Sequence, residues 1–158
     1  MERFSLHWRF DANHCGLASS DLLSRVRALG ALAAATVDER ATAYCGEGGP
    51  VDVTFRSDDS PAEVTRRLRE LPPLGDVPVL LSWDAQTAVV TTWEVFVTHW
   101  DDFCYSMSDD VTVMPLGGKW VLCYRHYDVM QFTVDSSGAL GAMRADESDS
   151  SPSERLRA

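Results

Sequence analysis

Between residues 2 and 10 apolar and polar positions alternate: Phe4, Leu6, Trp8 and Phe10 fall on one face, Arg3, Ser5, His7 and Arg9 on the other. A period of two predicts a half-buried strand. Residues 11–19 read as a loop. From residue 21 to about 37 the period lengthens, and Leu22, Leu23, Val26, Leu29, Leu32 and Ala33 form one apolar stripe. That stripe predicts a helix capped at Ser20, with Gly30 weakening its middle. Residues 40–45 are predicted as a short strand. The turn-rich Gly46-Glu47-Gly48-Gly49-Pro50 leads to an alternating strand over 51–55.

The clearest local signature follows. Ser60-Pro61-Ala62-Glu63 is a capping box with proline at the first helical position. Its helix carries Val64, Leu68 and Leu71 inward and Arg66, Arg67 and Arg69 outward, and Pro72-Pro73 ends it. Strands are predicted over 77–83 and 87–90, joined by Asp84-Ala85-Gln86. To Trp83 the order is strand, helix, strand, strand, helix, strand, the split order of ferredoxin-like sandwiches. Thr91-Thr92-Trp93-Glu94 reads as a second capping box, opening a helix with Trp93, Phe96, Val97, Trp100 and Phe103 at steps of three and four. Strands over 111–114, 119–124 and 129–134 complete the pattern, the first two joined by a hairpin at Gly117-Gly118. The expected fold class is a single α+β domain over 1–144, with a mostly antiparallel sheet and about three helices. The first and third helices should pack on the sheet, and 145–158, rich in Ser and charge, should be a disordered tail.

Composition narrows the function. A chain of 158 residues, 45% hydrophobic, is long enough for one core without a metal or disulfide staple. Its formal net charge of −10 argues against nucleic acid, which needs a basic footprint. No apolar run approaches the roughly 18–20 residues of a membrane span, and no leader opens the chain. Cys15, Cys45, Cys104 and Cys123 form no CxxC pair, so free thiols in a reducing, cytoplasmic setting are expected. Arg66, Arg67 and Arg69 sit among glutamates and read as a solvated face, and Gly46–Gly49 lacks the features of a phosphate loop.

The charge is also local. Residues 76–135 hold nine acids against Lys119 and Arg125, and ten of the fifteen aromatics. Acids beside exposed aromatics suit a protein-binding surface; aromatics in the core beneath solvated acids are the plainer reading. The sharpest point is Asp101, Asp102, Asp109 and Asp110, flanked by Trp100 and Tyr105. On a helix running to Phe103, Asp101 and Asp102 would occupy the last turn, where each exposed carboxylate costs roughly 0.3–1 kcal/mol. A chain that keeps such charges hints at a cationic partner.

The run Trp100-Asp101-Asp102-Phe103-Cys104-Tyr105-Ser106-Met107-Ser108-Asp109-Asp110, with Trp120-Val121-Leu122-Cys123-Tyr124-Arg125-His126 after it, resembles a pattern of small bacterial domains, some of them similar to immunity proteins of interbacterial competition. The resemblance covers residues 93–134; Ser106 stands where that pattern has proline, and Arg125 intervenes before His126. It implies a binding protein rather than an enzyme, without cofactor or metal. The partner would be a cognate toxin with a basic surface, engaged through Asp101, Asp102, Asp109, Asp110, Trp100 and Tyr105. Two other classes stay open. One is a small hydrolase or metal-dependent enzyme using Cys104, His99 or His126, with the aspartates as hard ligands though not at EF-hand spacing. The other is a regulatory or structural module.

Overall fold

Seven β-prone runs join edge to edge in one sheet, each short enough to need its neighbours. A computed structural model describes residues 5–11, 21–45, 51–71 and 75–134. Cys15, the Gly46–Pro50 turn, the Pro72-Pro73 stop and the 145–158 tail lie outside the described residues. The strands are β1 (Arg27–Ala28), β2 (Val53–Arg56), β3 (Pro78–Asp84), β4 (Thr87–Thr92), β5 (Val111–Pro115), β6 (Trp120–Arg125) and β7 (Val129–Val134). They lie in the order β1-β4-β3-β5-β6-β7-β2, and every pair is antiparallel. The helices are α1 (Ala31–Tyr44), α2 (Pro61–Glu70), α3 (Trp93–Thr98) and α4 (Trp100–Phe103), with two 3-10 turns at His7–Phe10 and Asp21–Arg25. The molecule is thus an α+β domain with two main helices and shorter ones.

The two faces of the sheet are covered differently. One carries Leu81, Val89, Val113, Trp120, Leu122, Tyr124, Met130 and Phe132, and packs against α2, α3, α4 and Phe10 in one large cluster. Its aromatic rings meet at tilted or edge-on angles, with Trp93 and Trp120 5.0 Å apart and Phe10 and Phe103 5.6 Å apart. The other face carries Leu80, Ala88 and Met114 beneath α1, which presents Ala34, Val37 and Ala41 at helical steps of three and four.

Turn chemistry sets the register. Asp84 accepts the Gln86 amide at 2.7 Å and closes the β3–β4 hairpin. Gly118, at φ 54, supplies the left-handed residue of the β5–β6 turn. Ser60 caps α2 by accepting the Glu63 amide at 3.4 Å, as the capping box predicts.

Several local expectations are overturned. Residues 7–10 form a 3-10 turn rather than a strand, with Arg9 and Phe10 buried and Trp8 exposed, because Arg9 is drawn inward to Asp109. The helix expected over 21–37 begins at Ala31. Gly30 is its N-cap rather than an interior residue, its carbonyl accepting the Ala34 amide at 2.9 Å. The strand expected over 40–45 is the continuation of α1, and Leu32, assigned to the stripe, is 85% exposed. Large residues mark the wrong face here, because alanines let the helix approach the sheet closely. The ferredoxin-like order is not realised: its first strand is missing, and β2 lies at the far edge beside β7.

The third predicted helix is broken at His99, with φ −128, into α3 and α4. Thr91 does not cap it. Thr91 is buried on β4, while Asp76, just ahead of β3, accepts the Glu94 amide at 3.3 Å. Of the free thiols expected, Cys104 is free and buried, and two others are corrected. Cys45, at the end of α1, is bonded to Cys123 on β6 across a Cα–Cα distance of 6.0 Å.

Candidate functional site

At one end of the sheet the segment leading into β5 meets the β6–β7 turn. This turn is a three-residue loop, His126-Tyr127-Asp128, closed by the Asp128 amide on the Arg125 carbonyl at 2.9 Å. Asp128 sits at φ 62, the left-handed position that such loops require. Its carboxylate accepts Ser106 Oγ at 2.9 Å and the Tyr124 hydroxyl at 3.2 Å. The Met107 amide donates to the His126 carbonyl at 2.7 Å, and Asp110 accepts the His126 amide at 2.9 Å. Asp110 Oδ1 also lies 3.0 Å from His126 Nδ1.

These bonds hold up a tip whose side chains face outward. Met107 is 86% exposed and Tyr127 53%, and the rings of His126 and Tyr127 meet edge-on at 5.2 Å. Met107 is at φ 64, a conformation that costs a non-glycine residue about 1–2 kcal/mol. Strain of this kind persists where surrounding bonds over-determine it, often at binding sites.

The six residues singled out from sequence do not form one open face. Asp109 is buried, 6% exposed, and belongs to an internal ion pair. Its Oδ1 accepts Arg9 Nη2 at 2.8 Å, its Oδ2 pairs with Arg9 Nη1 and accepts the Tyr105 amide at 3.0 Å, and Ser108 Oγ adds a bond at 3.0 Å. Burial pushes the Asp109 carboxyl up, but Arg9 and the other donors outweigh it and hold it below its ordinary value. The Arg9 guanidinium lies 4.3 Å from the Tyr105 ring and 5.3 Å from that of Trp8.

Trp100 is buried too, its indole N–H without an acceptor. Asp102 is half-buried beside His99 at 3.4 Å. Asp101 and Asp110 are exposed, and Tyr105 is partly so. Because α3 and α4 are separate, Asp101 and Asp102 open a short helix instead of closing a long one. The unfavourable dipole placement expected for them does not exist.

A second feature lies behind the tip. Under the C-terminal end of α1 is a pocket of about 240 Å³, lined by Asp38, Cys45, Ser82, Thr112, Asp110 and Arg125 among others. Ser82, Thr112 and Cys123 are register partners on neighbouring strands, so a polar row crosses β3, β5 and β6 where the apolar contact with α1 stops. Arg125 donates to the Cys45 carbonyl and Thr112 Oγ1 lies 3.2 Å from Cys45 Sγ, so the disulfide and its neighbours form one wall.

Cys104 is unsuited to nucleophilic work: it is buried, and desolvation and the nearby Asp109 push its thiol well above the ordinary value. Among the described residues no three His, Cys, Asp or Glu side chains converge to hold a metal. The arginine row on α2 is paired throughout, Arg66 with Glu63 and Glu70, Arg67 with Glu63, and Arg69 with Glu94, as a solvated face requires. Sequence reasoning passed over Met107, Tyr127 and Asp38. A Tyr-Asp pair between two strands was a usable turn signal for Asp128; nothing local marks Met107 or Asp38.

The geometry defines an α+β domain with an outward aromatic and acidic tip and a polar pocket beside it. No family model, curated protein or solved structure matches the chain.

Proposed function

We propose that the protein is an immunity-type binding protein that neutralises a cognate toxin through the tip formed by residues 105–110 and 126–128. The observation that carries this reading is Met107, strained and almost fully exposed beside Tyr127. An apolar anchor held out on a hydrogen-bonded loop is what a protein partner uses as a hot spot. Asp101 and Asp110 supply charge around it and steer a basic surface towards it. Asp109 serves this reading from inside, by fixing the loop through the Tyr105 amide and Ser108 hydroxyl.

On this reading the partner is a cognate toxin with a basic face, and its gene is expected to lie beside this one. Wild-type protein should form a complex with that toxin and protect cells that express it. Met107→Asp with Tyr127→Ala should abolish both without altering the circular dichroism spectrum. Full protection by the double variant, or a neighbourhood of metabolic genes alone, would remove the proposal.

Among the described residues no helix is long and apolar enough to cross a membrane. The Cys45–Cys123 bond supports an oxidising compartment over the reducing cytoplasm expected from the sequence. Alkylation of cell extracts under acid quench distinguishes them: protected Cys45 and Cys123 place the chain outside the cytoplasm, labelled ones within it.

A further inference from the structure

The pocket under α1 holds a charge imbalance that the fold leaves open. Asp38, half-buried in its wall, accepts one hydrogen bond, from Ser82 Oγ at 3.3 Å, and pairs with no cation among the described residues. Asp110, at the mouth, is engaged by His126. Arg125, half-buried, directs its guanidinium to the Cys45 carbonyl and forms no salt bridge with either aspartate. Two carboxylates therefore face one guanidinium already turned to a backbone oxygen. A half-buried carboxylate without a counter-charge attracts a ligand that brings one positive charge. At about 240 Å³ the space is below the usual range for drug-sized ligands and suits a single side chain.

We infer that this pocket receives one basic side chain, an arginine or lysine of the bound partner, with Asp38 and Asp110 as its carboxylate acceptors. The inference rests on the tip being the partner surface, and Asp110 joins the two: it holds His126 in the tip and lines the pocket. Arginine fits better than lysine, because its planar fork can donate to carboxylates on two walls at once.

The test uses the protein alone and needs no toxin. Nα-acetyl-L-arginine amide is titrated into the isotope-labelled protein by NMR, against the neutral isostere Nα-acetyl-L-citrulline amide. The arginine probe should bind saturably, with a dissociation constant on the order of millimolar, shifting the amides of Asp38, Thr42, Thr112 and Arg125. Citrulline should bind at least about tenfold more weakly, one factor of ten being the scale of a single charged contact. Asp38→Asn should reproduce that loss. Asp110→Asn, at an exposed position that leaves the core untouched, should weaken binding several-fold and decides the matter if the first variant misfolds. Equal binding of the two probes, or no saturable shift with arginine, overturns the pocket assignment. Because the probe is not the partner, that failure leaves the tip standing; unchanged toxin binding by the Met107→Asp, Tyr127→Ala variant with intact probe binding does the reverse.

Discussion

The two faces of the sheet reach burial by opposite means. The face beneath α2, α3 and α4 is filled by volume, with Trp93, Phe96, Phe103, Trp120, Tyr124 and Phe132 in mutual contact. The face beneath α1 is lined by alanine, valine, leucine and methionine, and removes far less apolar surface. Its helix is tied to the sheet at one end by the Cys45–Cys123 bond, next to a pocket. Where large side chains fill the space, the layer holds without a covalent tie among the described residues. Where small residues bring backbones close, a covalent tie holds the layer and polar groups can remain beside it. Candidate binding chemistry lies on the sparsely packed side and at the loops that border both.

Substitutions break this contrast in order of expected size. Phe103→Ala empties the aromatic layer and should cost about 3–5 kcal/mol in chemical denaturation; a cost near 1 kcal/mol would show that the layer collapses easily. Arg9→Ala leaves Asp109 buried and unpaired and should cost a similar 3–5 kcal/mol or so. It should also change the response to acid. The folded Asp109 carboxyl lies below its unfolded value, so its contribution is present above the unfolded pKa of about 4 and is lost as pH falls through the folded one. Denaturation profiles should therefore steepen below about pH 4 in the wild type and flatten when Arg9 is replaced by Met.

Reduction of Cys45–Cys123, which spans 78 residues of sequence, should cost about 2–4 kcal/mol and loosen α1 before the aromatic face. Hydrogen exchange with and without reductant checks this; uniform loosening of both faces would dissolve the contrast. Ser60→Ala, which removes the α2 cap, should cost about 1 kcal/mol. Leu32→Ser, on the solvent side of α1, should change stability by less than about 0.5 kcal/mol.

The same contrast explains what could be read from the sequence. The strands from β3 to β7 and the α2 capping box were legible because they rest on short apolar runs between turn residues and on local side-chain bonds. The aromatic face announced itself through Trp93, Phe96, Trp100 and Phe103, although no residue pattern marks the break at His99, and the cap of α3 comes from Asp76, 18 residues earlier. α1 was misplaced because its buried stripe is Ala34, Val37 and Ala41, and alanine carries little pattern. The N-terminal turn was misread because an ion pair across 100 residues overrides alternation. Of the candidate site, the neighbourhood of residues 101–110 was legible from charge. The separation of Asp109, held inside, from Asp110, held outside, depends on partners far away in sequence.

The most direct measurement of the account is hydrogen exchange on the protein with and without the proposed cognate toxin. Protection should concentrate in residues 105–110 and 125–128, with a weaker effect at the end of α1 around Asp38. Protection confined to α2 or to the β1 edge, or no protection by a toxin the protein demonstrably neutralises, would contradict the assignment of the tip as the binding surface.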